Sequence, residues 1–510
     1  MRKNFYSFIC FVAIMACCAC SSDEGSLDKE APVLSGENSI LSLQLRSNLN
    51  RGVISQDYEA TIDGTDISIF IPLVTQLKEL VVTFTLSGGT VTVDGVKQES
   101  GVTKNDFSQP RTYVVTAENG EKQSYTVDIH NTRLPIVYIQ TPDGKAITSK
   151  EEWMENTTLR IVQPDGTLDL FTETASIRGR GNSTWNYPKK PYAIKLSEKQ
   201  PVLGMPKHKR WVLLANWMDR TLIRNHVAFE VARRTSMAWT PNGQFVEVVL
   251  NGRHDGNYYL CEQIRVDKNR VNVSELKSDD TSDEAITGGY LMELDVNYDE
   301  VNKFKSAHFG LPYQFKSPDE DVLNSQQKQY MQDYVAKLES LLKDENELAK
   351  SSYMGLIDVT SFIDFWLIQE VVGNGEPNHP KSCYMHKERG GLLTAGPMWD
   401  FDYGTYRSTT SGTFRCSKSL YYGQLFKDPQ FVAKLKERWA VLYPKFQGIP
   451  EYIDGESAKL KLSDQLNSKL WPIDKVVNLD ESFTYEEAIR SMKECFNTKL
   501  QYMDEKIKAM

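Results

Sequence analysis

Arg178-Gly179-Arg180-Gly181-Asn182-Ser183-Thr184-Trp185-Asn186-Tyr187-Pro188-Lys189-Lys190-Pro191-Tyr192-Ala193-Ile194-Lys195-Leu196 is the stretch on which the reading of this chain turns. Its two glycines let the backbone come close to a ligand, and its hydroxyl and amide side chains offer hydrogen bonds. Arg178, Arg180, Lys189, Lys190 and Lys195 supply positive charge, so the loop suits an oligophosphate. Past Pro191 a strand period turns Tyr192, Ile194 and Leu196 toward a core and Lys195 to the other side, where it could reach a phosphate. A tight turn with a solvated basic edge fits the same residues, so the G-x-G pattern alone decides little.

A second stretch adds to it. Residues 361–372 read as a helix, with Ser361 and Asp364 in capping-box spacing, Phe362, Phe365, Trp366 and Val372 apolar, and Gly373 suited to end it. Asn374-Gly375-Glu376-Pro377-Asn378-His379-Pro380-Lys381-Ser382 is a loop. Strands over 383–386 and 392–395, joined at Arg389-Gly390-Gly391, then lead into Gly396-Pro397-Met398-Trp399-Asp400-Phe401-Asp402-Tyr403-Gly404. A loop with a carboxylate, a hairpin, and a loop with further carboxylates is the order in which protein kinases place their catalytic base and Mg²⁺ ligand. Two carboxylates suit Mg²⁺, which takes oxygen ligands and leaves room for phosphates, although an isolated D-x-D also caps helices and turns.

Further motifs follow in order: Trp211-Val212-Leu213-Leu214-Ala215-Asn216 with Asp219 and Arg224-Asn225, then Asn251-Gly252, then Tyr259-Leu260-x-Glu262. Together with Arg178-Gly179-x-Gly181-x-Ser183, Pro188-Lys189-Lys190 and Trp399-Asp400-Phe401-Asp402, they make residues 134–505 resemble the CotH kinase family, named for spore coat protein H. The resemblance implies an atypical branch of the protein-kinase fold, with ATP and Mg²⁺ or Mn²⁺ as cofactors and transfer of the γ-phosphate to Ser or Thr of proteins. It assigns Arg178, Arg180, Ser183, Lys189, Lys190 and Lys195 to the nucleotide, with Lys190 or Lys195 on phosphate and Glu262 able to pair with that lysine. Asp400 and Asp402 go to the metal, joined by Ser382, and Glu376 and Asn374 go to catalysis. The chain departs from the family where its loop often has Asn-x-Asp and this one has Asn374-Gly375-Glu376, and where a metal-binding Asn may follow and this one has Ser382. A glutamate accepts a proton, but its extra methylene moves the carboxylate.

Upstream, residues 38–131 carry short alternating strands (67–71, 80–86, 90–93, 113–116, 125–129) separated by the turn dipeptides Asp63-Gly64, Gly88-Gly89, Asp94-Gly95 and Asn119-Gly120. That pattern predicts a β-sandwich, and Ala117-Glu118-Asn119-Gly120 with Tyr125-Thr126-Val127 resembles immunoglobulin-like modules of surface lipoproteins. It holds no catalytic set and reads as a spacer. Residues 1–19 form a signal peptide: a basic start, a short apolar run, and small residues ending at Cys20, which resembles the lipid-bearing residue of a bacterial lipobox. Residues 20–37 form a tether. The serines and acids after Cys20 resemble the export signal of surface lipoproteins in some diderm bacteria, which implies a location at the outer membrane or cell surface, held by the lipid.

The expected fold class is therefore multidomain, an Ig-like β-sandwich followed over 134–510 by an α+β, atypical protein-kinase-like domain with a helical C-terminal part. Within it, helices are expected over 221–234, started by Asp219, and over 325–349, and a hairpin over 245–262. The chain has 510 residues, a net charge of −9 and 40% hydrophobic residues, a folded composition that excludes nucleic acid as the main electrostatic partner. The protein partner or substrate is left open. Cys261, Cys383, Cys416 and Cys495 are too scattered for a disulfide framework or a zinc site. Two other functions fit the sequence, a catalytically inactive kinase-like surface adhesin or scaffold and a sugar-binding component of a surface system.

Overall fold

The computed structural model describes residues 33–54, 56–71, 77–476 and 478–510. The signal peptide and Cys20 lie outside the described residues. No described helix is long and apolar enough to cross a membrane.

The N-terminal region is β-rich. Ile40–Leu45 and Leu80–Leu86 lie in a four-stranded sheet, and Asp66–Ile71, Thr90–Val93, Arg111–Thr116 and Lys122–Asn131 in a six-stranded one. Alternate residues of both sheets, among them Leu43, Val82, Ile69, Val115 and Val127, share one buried core, as period-two patterning requires. The five strands read from the sequence are present, and the turn glycines Gly64, Gly89, Gly95 and Gly120 all have positive φ. The longest strand, Lys122–Asn131, runs parallel to Asp66–Ile71, so these two neighbours cannot be joined by a tight hairpin. This region touches the rest of the chain where the His254 amide donates to Gln56 Oε1 at 2.6 Å and Lys469 Nζ to Thr61 Oγ1 at 3.1 Å.

Next comes a closed barrel that the sequence did not announce. Its strands are β1 (Ile136–Gln140), β2 (Met154–Val162), β3 (Leu168–Gly179), β4 (Tyr192–Val202), β5 (Met205–Leu214), β6 (Gly243–Leu250) and β7 (Arg253–Glu262), in the order β1-β2-β3-β4-β5-β7-β6. Each pair is antiparallel except β6 with β1, whose parallel pairing closes the ring. Ile139, Ile161, Ile177, Ile194, Trp211, Val246 and Tyr258 fill its interior. The predicted hairpin is β6–β7, turning at Asn251-Gly252 with positive φ at both residues.

Helix α1 (Arg224–Arg233) begins three residues later than expected. Leu222 has positive φ, and Asp219 Oδ2 accepts the first helical amide, that of Arg224, at 2.8 Å. A five-stranded sheet follows, made of β8 (Tyr290–Leu294), β9 (Lys303–Lys305), β10 (Pro312–Ser317), β11 (Cys383–Lys387) and β12 (Leu393–Ala395) in the order β9-β10-β8-β11-β12. Helix α2 (Ser325–Lys343) is shorter than predicted because Asp344 starts a separate helix, Glu345–Ala349, by accepting the amides of Asn346 and Glu347. Helix α3 (Val359–Val371) starts earlier than the sequence suggested. Asp358, not Ser361, caps it, and Asp364 is instead clamped by Arg438 at 2.6 Å. Helices α4 (Pro429–Phe446), α5 (Ile449–Leu470) and α6 (Tyr485–Ala509) close the C-terminal part, with Trp439 and Leu442 in the core. The four cysteines of the folded part are free, buried thiols.

Candidate active site

Between barrel and five-stranded sheet lies a cavity of about 640 Å³. It gathers Arg178, Arg180 and Ser183 from the β3–β4 loop, Glu376 and Ser382 from the loop after α3, and Asp400 and Asp402 from the loop after β12. Segments more than two hundred residues apart in sequence thus meet at one place.

The glycines of the first loop are dictated by packing. A Cβ on Gly179 would overlap the Trp185 ring, and Gly181, with φ +86°, has Thr184 Oγ1 against it. The loop therefore folds back on itself and leaves Arg180 over the ring of Trp399, 5.5 Å from its centroid. The Trp399–Asp402 segment is held from behind. The Phe401 amide donates to Asn225 Oδ1 at 2.7 Å, and Asn478 Nδ2 donates to the Asp402 carbonyl at 2.7 Å. Asp400 sits at φ +69°, a conformation that is costly for a side chain and that aims it into the cavity. Ser382, also at positive φ, donates weakly to Asp400 Oδ2 at 3.4 Å. Beneath the segment, Arg224 is buried between Asp219 at 3.0 Å and Asp480 at 2.5 Å, which fixes the start of α1 against the loop.

The carboxyls are under strain of another kind. Desolvation first, then the charges of Asp400 and Asp402, push Glu376 far above the ordinary carboxylate range, to about 9. Asp402 is raised well above its range by desolvation and by Asp400. Glu376 Oε2 is buried with no hydrogen-bond partner. An orphaned oxygen beside two mutually repelling aspartates is the donor set a hard divalent cation would relieve. Among the described residues, no three His, Cys, Asp or Glu side chains converge closely enough to hold a metal unaided. The residues therefore fit a metal carried in with phosphate oxygens, with Asp400 and Asp402 as the protein ligands. Asn374 does not line the cavity. It is buried, bonds Gln369 through its side-chain amide at 2.8 Å, and accepts the Glu376 amide at 3.1 Å, so it positions Glu376.

The lysines go elsewhere. Lys189 is fully buried under α5, where its ammonium meets the Asn257 carbonyl, Asn467 Oδ1 at 2.8 Å and the Tyr258 ring, and it cannot reach a phosphate in the cavity. Lys190 Nζ is spent on the Trp185 carbonyl at 2.8 Å. Lys195 lies on the outer wall of the barrel near Trp153, away from the lining. Glu262 is buried 3.8 Å from Arg270 and accepts the Asn242 amide, so it pairs with no phosphate lysine. Period-two reasoning put Lys195 on the correct, outward side of its strand, but the barrel's curvature sends that side away from Asp400.

Burial of Lys189 has a measurable consequence, since it pushes the ammonium down to about 7 despite the pull of Asp255 and Glu247. Below that pH the folded and unfolded states both carry the proton, and above it the unfolded chain holds one more, so this group's contribution to stability climbs as pH rises toward the ordinary lysine range. Relative to Lys189→Met, the wild type is expected to gain on the order of 2 kcal/mol between about pH 7 and about pH 9. Paired urea unfolding curves check this. A constant difference between the two proteins would show that Lys189 does not titrate in that window.

Sequence reasoning missed Glu293, Asp295, Lys316 and Lys381, which all line the cavity. Glu293 lies in a strand otherwise made of Tyr290, Leu291, Met292 and Leu294, with Asp295 just past its end, and two carboxylates at alternate positions of an apolar run were the available signal. Lys316 bridges Glu293 at 3.3 Å and Glu300, and together they hold it charged.

No curated protein matches the chain. A solved structure from Bacteroides thetaiotaomicron, described as a candidate glycoside hydrolase, is 24% identical, with 36% of this chain and 53% of that one covered and a TM-score of 0.16. The chain thus spans about half of that protein, and the superposition is too slight to bear on the fold. The model of the SGBP N-terminal module matches residues 50–129, within the β-rich region. The model described as CotH kinase protein matches residues 177–503, from the end of β3 through most of α6 and so across every segment that lines the cavity except Lys150 and Glu151, and the chain belongs to that family.

Proposed function

We propose that this protein is a cell-envelope lipoprotein whose kinase-like domain transfers the γ-phosphate of ATP to Ser or Thr hydroxyls of proteins. The observation that carries this reading is the meeting of Arg178, Arg180 and Ser183 with Glu376, Asp400 and Asp402 around one cavity. Arg180 presents forked donors to phosphate oxygens. A bound Mg²⁺ or Mn²⁺ supplies charge neutralisation on the phosphates. Glu376 takes the proton of the acceptor hydroxyl as its oxygen bonds to the γ-phosphorus and the bond to the ADP oxygen breaks, and Asn374 holds the Glu376 backbone during that step. Incubation with labelled ATP and Mg²⁺ or Mn²⁺ tests the reading. Label is expected on protein, together with thermal stabilisation by ATP and metal. Absence of ATP binding at millimolar concentration in folded protein would overturn it.

A second reading, an inactive kinase-like adhesin or scaffold, draws on Glu376 standing where the family often has aspartate and on its raised carboxyl. In either case the β-rich region spaces the domain from a lipid at Cys20, on the outer membrane or cell surface. Mature protein is expected to begin at an acylated Cys20 and to fractionate with membranes. Cys20→Ala is expected to leave the precursor unprocessed, and soluble, normally cleaved Cys20→Ala protein would exclude the lipid anchor.

A further inference from the structure

Strands β3, β4 and β5 turn Ile177, Ile194 and Trp211 into the barrel core, so their neighbours Arg178, Lys195 and Arg210 point outward side by side. All three surround one indole. Arg178 Cζ lies 4.5 Å from the Trp153 ring, Arg210 Cζ 4.9 Å and Lys195 Nζ 6.0 Å. Arg265, just past β7, is near enough that, with burial, its charge lowers the pKa of both Arg178 and Arg210.

Two carboxylates stand against these four cations, Glu151 near Arg178 and Asp319 near Arg210 and Arg265. Arg178 donates to the Glu151 carbonyl at 2.8 Å, and Arg265 lies 3.5 Å from Asp319, an exposed carboxylate. The side chains of Lys195 and Arg210 make no hydrogen bond or ion pair among the described residues, and Arg265 Nε is buried without a partner. The cluster borders a second cavity of about 490 Å³, lined by Arg178 and Arg265, which adjoins the first through Arg180, Lys316, Tyr384 and Trp399. Asp319, Glu320 and Asp321 also line this second cavity.

We propose that this barrel face docks an acidic stretch of the acceptor protein, flanking the hydroxyl that enters the first cavity. Lys195 lies directly opposite Arg210, whereas Arg178 lies two residues along β3 from Ser176, the partner of Lys195, so the cations spread diagonally over three strands, which matches carboxylates spread along an extended chain better than one compact phosphate. The acceptor role rests on the phosphoryl-transfer reading, whereas binding depends on the face alone.

The test uses a fluorescent peptide of one serine followed by four glutamates, its glutamine counterpart, and the full mature chain. The acidic peptide is expected to bind at least tenfold tighter than the glutamine peptide. The double variant Lys195→Gln, Arg210→Gln is expected to lose that preference while melting like the wild type, and saturating ATP with Mg²⁺ is expected to leave peptide binding intact. Equal binding of the two peptides would overturn the proposal. So would displacement of the peptide by ATP, which would assign the cluster to the nucleotide, or binding of a sulfated polysaccharide in place of the peptide. Peptide binding without any transfer would instead count against the kinase reading and leave the docking face standing.

Discussion

Asp402→Asn is expected to abolish metal-dependent phosphoryl transfer and, in the same protein, to raise the stability of the ligand-free form. Both effects come from one arrangement. Asp402 is desolvated next to Asp400, and Glu376 feels both, so in the free protein burial and the neighbouring charges drive Asp402 and Glu376 toward their neutral forms. A neutral amide of the same shape removes one repulsive partner, and gains of about 0.5–2 kcal/mol are usual when a site residue held against its preference is relieved. The same change removes a ligand charge from a metal that has only two carboxylates to hold it. Loss of one pre-organised electrostatic contact of this kind lowers turnover by roughly 10²- to 10³-fold or more. Asp400→Ala is expected to behave alike in activity, with no relief of its positive-φ backbone, because alanine keeps the Cβ. Calorimetry in the absence of nucleotide and transfer of labelled phosphate in its presence are the two measurements. A variant that is both less stable and inactive would show that Asp402 serves the fold rather than a cation.

Much of this site could be read from the chain because its parts are local. Gly179 and Gly181 announce a loop that only glycine fits, and Trp185 and Thr184, a few residues on, are what they accommodate. Glu376, Asp400 and Asp402 could be placed because a hairpin of known span separates their loops. What depends on closure could not. The parallel pairing of β6 with β1 joins residues about a hundred positions apart, and no period in the sequence encodes it. That closure determines which outward-facing cations look into the cavity, which is why Arg178 reaches it while Lys195 does not. Lys189 shows the same limit from another side. A lysine in a basic loop reads as solvated, and only α5, contributed almost three hundred residues later, buries it against Asn467.

Glu376 is expected to carry the second large effect. Glu376→Gln keeps the shape and the amide held by Asn374 but cannot take a proton, so turnover is expected to fall by roughly 10²- to 10⁴-fold with ATP binding retained. The pH profile gives an independent readout. Because desolvation and the neighbouring aspartates raise this carboxyl, its basic form grows as pH rises above neutrality, and Lys381 at the cavity edge pulls in the opposite direction by favouring the charged form. Wild-type turnover is therefore expected to climb with pH in that range, and the residual turnover of the glutamine variant to be flat. Glu376→Asp separates proton transfer from reach. It restores a base but withdraws it by one methylene, and if this chain has adjusted its loop to glutamate, activity returns only in part, to at least tenfold above Glu376→Gln. Full recovery with aspartate would mean that the loop adapts freely to either acid. A glutamine variant as fast as the wild type would remove Glu376 from the chemistry altogether.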